Sequence, residues 1–111
     1  MNPALEPTQP KPMRLHPRVD ADFAVRLEAG TRSVLARAVD LSLAGLALHD
    51  PAGELREGDF DRVSLRIPGQ SRELSLPIRF ARRHRDRVAL AFSDLDWDDL
   101  FCLARYLSPR L

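Results

Sequence analysis

Two short stretches of this chain have residue types and spacings suited to binding chemistry. Arg14 and Arg18 bracket Leu15-His16-Pro17, an RxxxR spacing. Asp40, Ser42 and Gly45 lie in Asp40-Leu41-Ser42-Leu43-Ala44-Gly45, a DxSxxG spacing. An arginine fork meets phosphate oxygens, or the O6 and N7 acceptors of guanine, with two parallel hydrogen bonds. A carboxylate accepts from N–H donors, and a glycine lets backbone and ligand approach closely. Pro17 biases His16 toward an extended conformation, so residues 14–18 predict a loop and not a helical turn. There is also a plainer use for the second stretch. Aspartate and serine at these positions suit a turn in which each side chain bonds its own backbone. Either motif alone is weak. The two in this order say more.

The rest of the chain supplies the elements that position them. Residues 1–13 contain Pro3, Pro7, Pro10 and Pro12 and little to bury, which predicts a disordered proline-rich tail. Beyond it the apolar period is two. Strands are predicted near 22–28 (Phe23, Val25, Leu27), over 33–40, and at Leu46 and Leu48. Three more follow at Val63–Ile67, Leu74–Phe80 and Val88–Phe92. Pro68-Gly69-Gln70 has turn chemistry, and Pro77 inside a run predicts an edge position or a bulge. On the Leu74–Phe80 strand, Leu76 and Phe80 are expected in the core, with Glu73, Ser75 and Arg79 facing the other way. Six short strands at this spacing predict an antiparallel barrel or sandwich. The period then changes: Trp97, Leu100, Phe101, Leu103, Ala104 and Leu107 recur at helical spacing, with acidic residues at the start and Ser108-Pro109 at the end. Trp97 is expected to anchor this helix, about 96–107, to the sheet. Its wide apolar face would pack on the barrel and also suit a partner or a second copy, giving a possible homo-oligomer.

The totals exclude several classes. The chain has 111 residues, the length of one domain with one modest core. Net charge is +1, so no bulk field draws it to DNA or to an anionic membrane. Single-stranded nucleic acid binding wants aromatic platforms, and the five phenylalanines, one tyrosine and one tryptophan mostly occupy core positions. No apolar run is long enough to span a membrane, and no secretory leader is visible, so the reading is cytoplasmic. Enzyme chemistry fares poorly. Ser42 lacks a GxSxG frame, His16, His49 and His84 lack metal-ligand spacing, and Cys102 reads as a small core residue. Asp98 and Asp99 read as helix-start charge. No cofactor is called for. The basic residues are one lysine, Lys11, and sixteen arginines. Codon bias can produce that excess overall, but it does not place Arg14 and Arg18. The cluster Arg79, Arg82, Arg83, Arg85 and Arg87 reads as a solvated hairpin.

RxxxR followed about two strands later by DxSxxG, on an all-β background, resembles the signature of the PilZ family of cyclic di-GMP receptors. The resemblance covers roughly residues 14–107. It implies closure of the six strands into an antiparallel barrel, about 20–93, with the helix as a C-terminal addition, in one domain over 14–111. It implies cyclic di-GMP as ligand, with Arg14 and Arg18 on phosphates and guanine edges. Asp40 would accept from a guanine, Ser42 would bond guanine or phosphate, and Gly45 would permit close approach. His16 is an accessory candidate. So is Met13, whose position is arginine in relatives that favour two stacked ligand molecules. The resemblance further implies a receptor that changes conformation on binding and relays the signal to a downstream protein partner. The alternative is a PilZ-like interaction adaptor that binds no nucleotide.

Overall fold

The computed structural model describes residues 16–111; Met13, Arg14 and the proline-rich segment lie outside the described residues. Six strands form: β1 (Val19–Ala29), β2 (Arg32–Leu41), β3 (Gly45–His49), β4 (Arg62–Arg66), β5 (Glu73–His84) and β6 (Arg87–Phe92). They close into a barrel in the order β1-β2-β3-β6-β5-β4, with every neighbouring pair antiparallel. Closure satisfies both edges of the sheet, which an open six-stranded sheet would leave as exposed donors and acceptors.

The period-two alternation sorts side chains between a packed interior and the outside. Val25 and Leu27, Val63 and Leu65, Leu74 and Leu76, and Leu48 and Val88 fill the interior. Ser75 and Arg79 point outward on the same strand that buries Leu76 and Ile78. Phe80 packs against the core but is half-buried, because β5 bulges immediately after it. Pro77 is at neither an edge nor a bulge. It lies where β5 changes partners, pairing with β4 over 73–77 and with β6 from Ile78 onward. A residue with no N–H to donate fits such a hand-over.

The turns follow their sequences. Gln70 N–H donates to Ile67 O at 3.0 Å, with Pro68 and Gly69 between and Gly69 at φ +87°, the pattern of a type II turn. The long connection from β3 to β4 is fastened at Asp50. Its carboxylate accepts from Glu54 N, Leu55 N and the Arg83 guanidinium.

After β6, Asp96 caps helix α1 (Trp97–Leu107) by accepting from Asp99 N at 2.9 Å, and a short 3-10 turn, Ser108–Arg110, follows. Leu103, Tyr106 and Leu107 bury against the barrel core. Gln70 Nε2 donates to Cys102 O at 3.1 Å, so the helix sits beside the β4–β5 turn. The anchor is not Trp97, which is 79% exposed; Phe101, one turn later, is 68% exposed. The buried face is rotated toward 103, 106 and 107, leaving an exposed aromatic pair one turn apart.

Candidate functional site

Asp40 owes its position to a bulge. In β2, Ala38 pairs with Leu48 and faces the core, so strict alternation would send Asp40 inward as well. Val39 is an extra residue, and the register resumes with Asp40 opposite Ala47. That slip turns Asp40 to the outer face, where a bulge commonly re-aims a side chain. The carboxylate is nevertheless 7% exposed as a residue, because it lies on the floor of a groove on the barrel wall.

The groove has a cavity of about 350 Å³. His16, Arg18, Asp40, Ser42 and Gly45 line it, and the rest of the lining is Ala44, Ala81, Ala89 and Ala91 together with Leu46 of β3 and Leu90 of β6. Arg18 Nη1 lies 3.3 Å from Asp40 Oδ2, and Arg87 Nη1 is 4.0 Å from the same oxygen. Asp40 Oδ1 is fully buried and has no hydrogen-bond partner among the described residues. A buried carboxylate oxygen without a donor is costly, and the cost is removed by anything that brings an N–H to it.

Ser42 has a different job from Asp40. Its Oγ accepts from Ala44 N at 3.0 Å and Gly45 N at 3.3 Å, and Ser42 N donates to Gly45 O at 2.9 Å. The hydroxyl thus holds the β2–β3 turn while lining the groove. Gly45 is required by proximity, not by its own dihedral angle. A Cβ there would stand 2.0 Å from the backbone oxygen of Leu90 on β6. Its absence lets β3 and β6 lie close and keeps the floor flat.

The structure therefore brings together Arg18, His16, Asp40, Ser42 and Gly45. The alanine floor was not foreseen. Alanines at strand positions carry no chemical signal, and their common face emerges only once the register of β3, β5 and β6 is known. Among the described residues there is no group of three or more side chains suited to holding a metal ion, and no helix long and apolar enough to cross a membrane.

The PilZ domain profile matches residues 12–108. The chain belongs to the PilZ domain family. No curated protein matches it in sequence. Solved structures do match in shape. MotI/DgrA, an inhibitor of motility from Bacillus subtilis, superposes with a TM-score of 0.76 at 19% identity, covering 90% of this chain and 52% of its own. YcgR from Escherichia coli, in complex with c-di-GMP, gives 0.67 at 20% identity, covering 86% and 45%. The PilZ domain of CeSA from a cellulose-synthesizing bacterium gives 0.61 at 20% identity, covering 85% and 98%. The chain thus spans about half the length of MotI and YcgR, and nearly all of the isolated CeSA domain. At these identities the likeness establishes the fold, a PilZ barrel with one C-terminal helix.

Proposed function

We propose that this PilZ domain is a receptor for cyclic di-GMP, a binding module and not an enzyme. One observation carries the proposal. Asp40 presents a buried oxygen, without a donor among the described residues, to a groove whose rim holds Arg18 and whose lining is rich in small residues, Gly45 and four alanines beside Leu46 and Leu90. Guanine N1–H and N2–H are donors of the kind that oxygen lacks. Arginine at the rim suits the O6 and N7 edge of the base or a phosphate. The flat floor accepts a planar base.

Binding replaces the Arg18–Asp40 pair with contacts to the ligand, on which Arg14 and Arg18 both close. Such a change alters the outer surface without changing the barrel. A downstream protein then reads the new surface, with exposed Trp97 and Phe101 a further apolar contact for it. Membership of the family and the c-di-GMP complex of YcgR support the ligand assignment. Isothermal titration with cyclic di-GMP, with GMP, GTP and an oligonucleotide as controls, tests it. Specific heat with cyclic di-GMP alone is expected. A folded protein that gives no heat at high micromolar ligand leaves the adaptor reading in its place.

A further inference from the structure

The β5–β6 hairpin carries a second bulge that mirrors the one beside Asp40. Phe80 pairs with Leu90 and packs toward the core. Without an irregularity, Arg82 would follow it inward. Ala81 is the extra residue, and the register resumes with Arg82 opposite Ala89. Arg82 therefore turns to the outer face and Arg83 to the side of Val88, where it bonds Asp50 and Leu55 O. One bulge thus divides the basic cluster into a structural arginine, Arg83, and an outward one, Arg82.

The two bulges address the same row. Asp40 pairs with Ala47, Ala47 with Ala89, and Ala89 with Arg82. The row begins with an acceptor and ends with a cation, and it has nothing larger than a methyl group between them. Three interstrand spacings separate the ends, about 14 Å along the sheet. In the next row His49 pairs with Arg87, and Arg87 with His84. Arg18, Arg82, His84 and Arg87 converge on an adjoining cavity of about 190 Å³ floored by Ala47 and Ala89. It continues the Asp40 groove, sharing Arg18 and Ala89 with it.

We propose that Arg82 and Arg87 form the far wall of the binding groove and grip a phosphate group of the nucleotide whose base meets Asp40. The inference rests on the cyclic di-GMP reading above and assigns residues outside both sequence motifs to that ligand. The geometry requires a ligand with a donor edge at one end and an anion at the other, lying flat across two strands. A bidentate guanidinium suits the anion, and a second arginine from the neighbouring strand closes it from the side.

Titration of the parent, Arg82→Ala, Arg87→Ala, the double variant and Arg82→Lys with cyclic di-GMP tests the wall, with the exposed Arg66→Ala as control and a melting curve for each. Arg82→Ala is expected to weaken binding about tenfold and the double variant more, with melting temperatures unchanged, while Arg82→Lys recovers part of the loss. Affinity equal to that of Arg66→Ala in both single variants and the double variant overturns the wall. A lowered melting temperature that accounts for the loss does so too. An NMR titration with inorganic pyrophosphate separates this failure from failure of the nucleotide reading. Shifts at the Arg82 and Arg87 amides, abolished in the double variant, support the wall even if cyclic di-GMP gives no heat. No shifts and no heat overturn both.

Discussion

At the scale of single residues, Asp40 and Ser42 are two positions apart in one motif and do opposite things. Ser42 spends its hydroxyl on the backbone of its own turn. Asp40 pairs one oxygen with Arg18 and leaves the other buried without a donor among the described residues. A residue that stabilises the apo fold and one that is held there at a cost respond differently to truncation. Asp40→Ala removes an unsatisfied buried acceptor and frees a partly exposed arginine, so the melting temperature without ligand is expected to stay the same or rise. Binding of cyclic di-GMP is expected to fall about tenfold or more, the worth of a hydrogen bond to a charged group. Ser42→Ala strands two backbone N–H groups, the buried one of Gly45 and the part-buried one of Ala44, and is expected to lower stability by about 1–3 kcal/mol. Paired melting and titration curves check both. If Asp40→Ala unfolds the protein, the carboxylate is a structural group.

At the scale of elements, the helix and the β3–β4 connection show what a sequence exposes and what it hides. Strand periodicity was legible because each strand buries one face, and the helix was legible because its period and its acidic start are local. The face that the helix buries was not. Trp97, Phe101, Leu103 and Leu107 all lie within a broad apolar arc, and only docking beside the β4–β5 turn selects Leu103, Tyr106 and Leu107. Leu103→Ala is therefore expected to cost about 2–5 kcal/mol, and Trp97→Ala less than about 0.5 kcal/mol. Equal losses in thermal denaturation would put the helix on the wrong face. The motifs were likewise legible as pairs of residue types. The bulges at Val39 and Ala81 were not, because each depends on register with strands far away in the chain.

Asp50 gives the β3–β4 connection a pH dependence. Burial raises its pKa, but the Arg83 guanidinium and the Leu55 and Glu54 amides outweigh burial and hold the carboxyl below its usual value. The unfolded chain then takes up the proton first. The stabilisation is present above the ordinary aspartate pKa of about 3.9 and is lost as pH falls toward the folded value. Asp50→Asn is expected to be less stable near neutral pH by roughly 1.5–3 kcal/mol, the worth of a charged hydrogen bond. The gap between variant and parent should narrow as pH drops below about 4. Denaturant melts across that range check it; a gap that stays constant with pH would show that Asp50 does not titrate with folding.

At the scale of the whole molecule, a closed barrel with its core on the inside and its groove on the outside can bind a ligand without repacking. Linkage then follows simple mass action, because the unfolded chain assembles neither the Asp40 row nor the Ser42 turn. A ligand bound only by the folded state stabilises by about 2.7 kcal/mol at 100 times its Kd. In a domain of this size each kcal/mol moves Tm by about 4–8 °C, so the rise should be about 10–20 °C. Trp97→Ala lies outside the groove and is expected to show the full rise. Asp40→Ala is expected to lose about half of it or more at the same ligand concentration, although its own Tm without ligand is no lower than the parent's. That combination separates a ligand site from a structural one within a single melting experiment. A parent whose Tm is unmoved by millimolar cyclic di-GMP has no such site. A rise preserved in Asp40→Ala would mean that the ligand binds elsewhere on the barrel, and the buried oxygen would then have no donor to wait for.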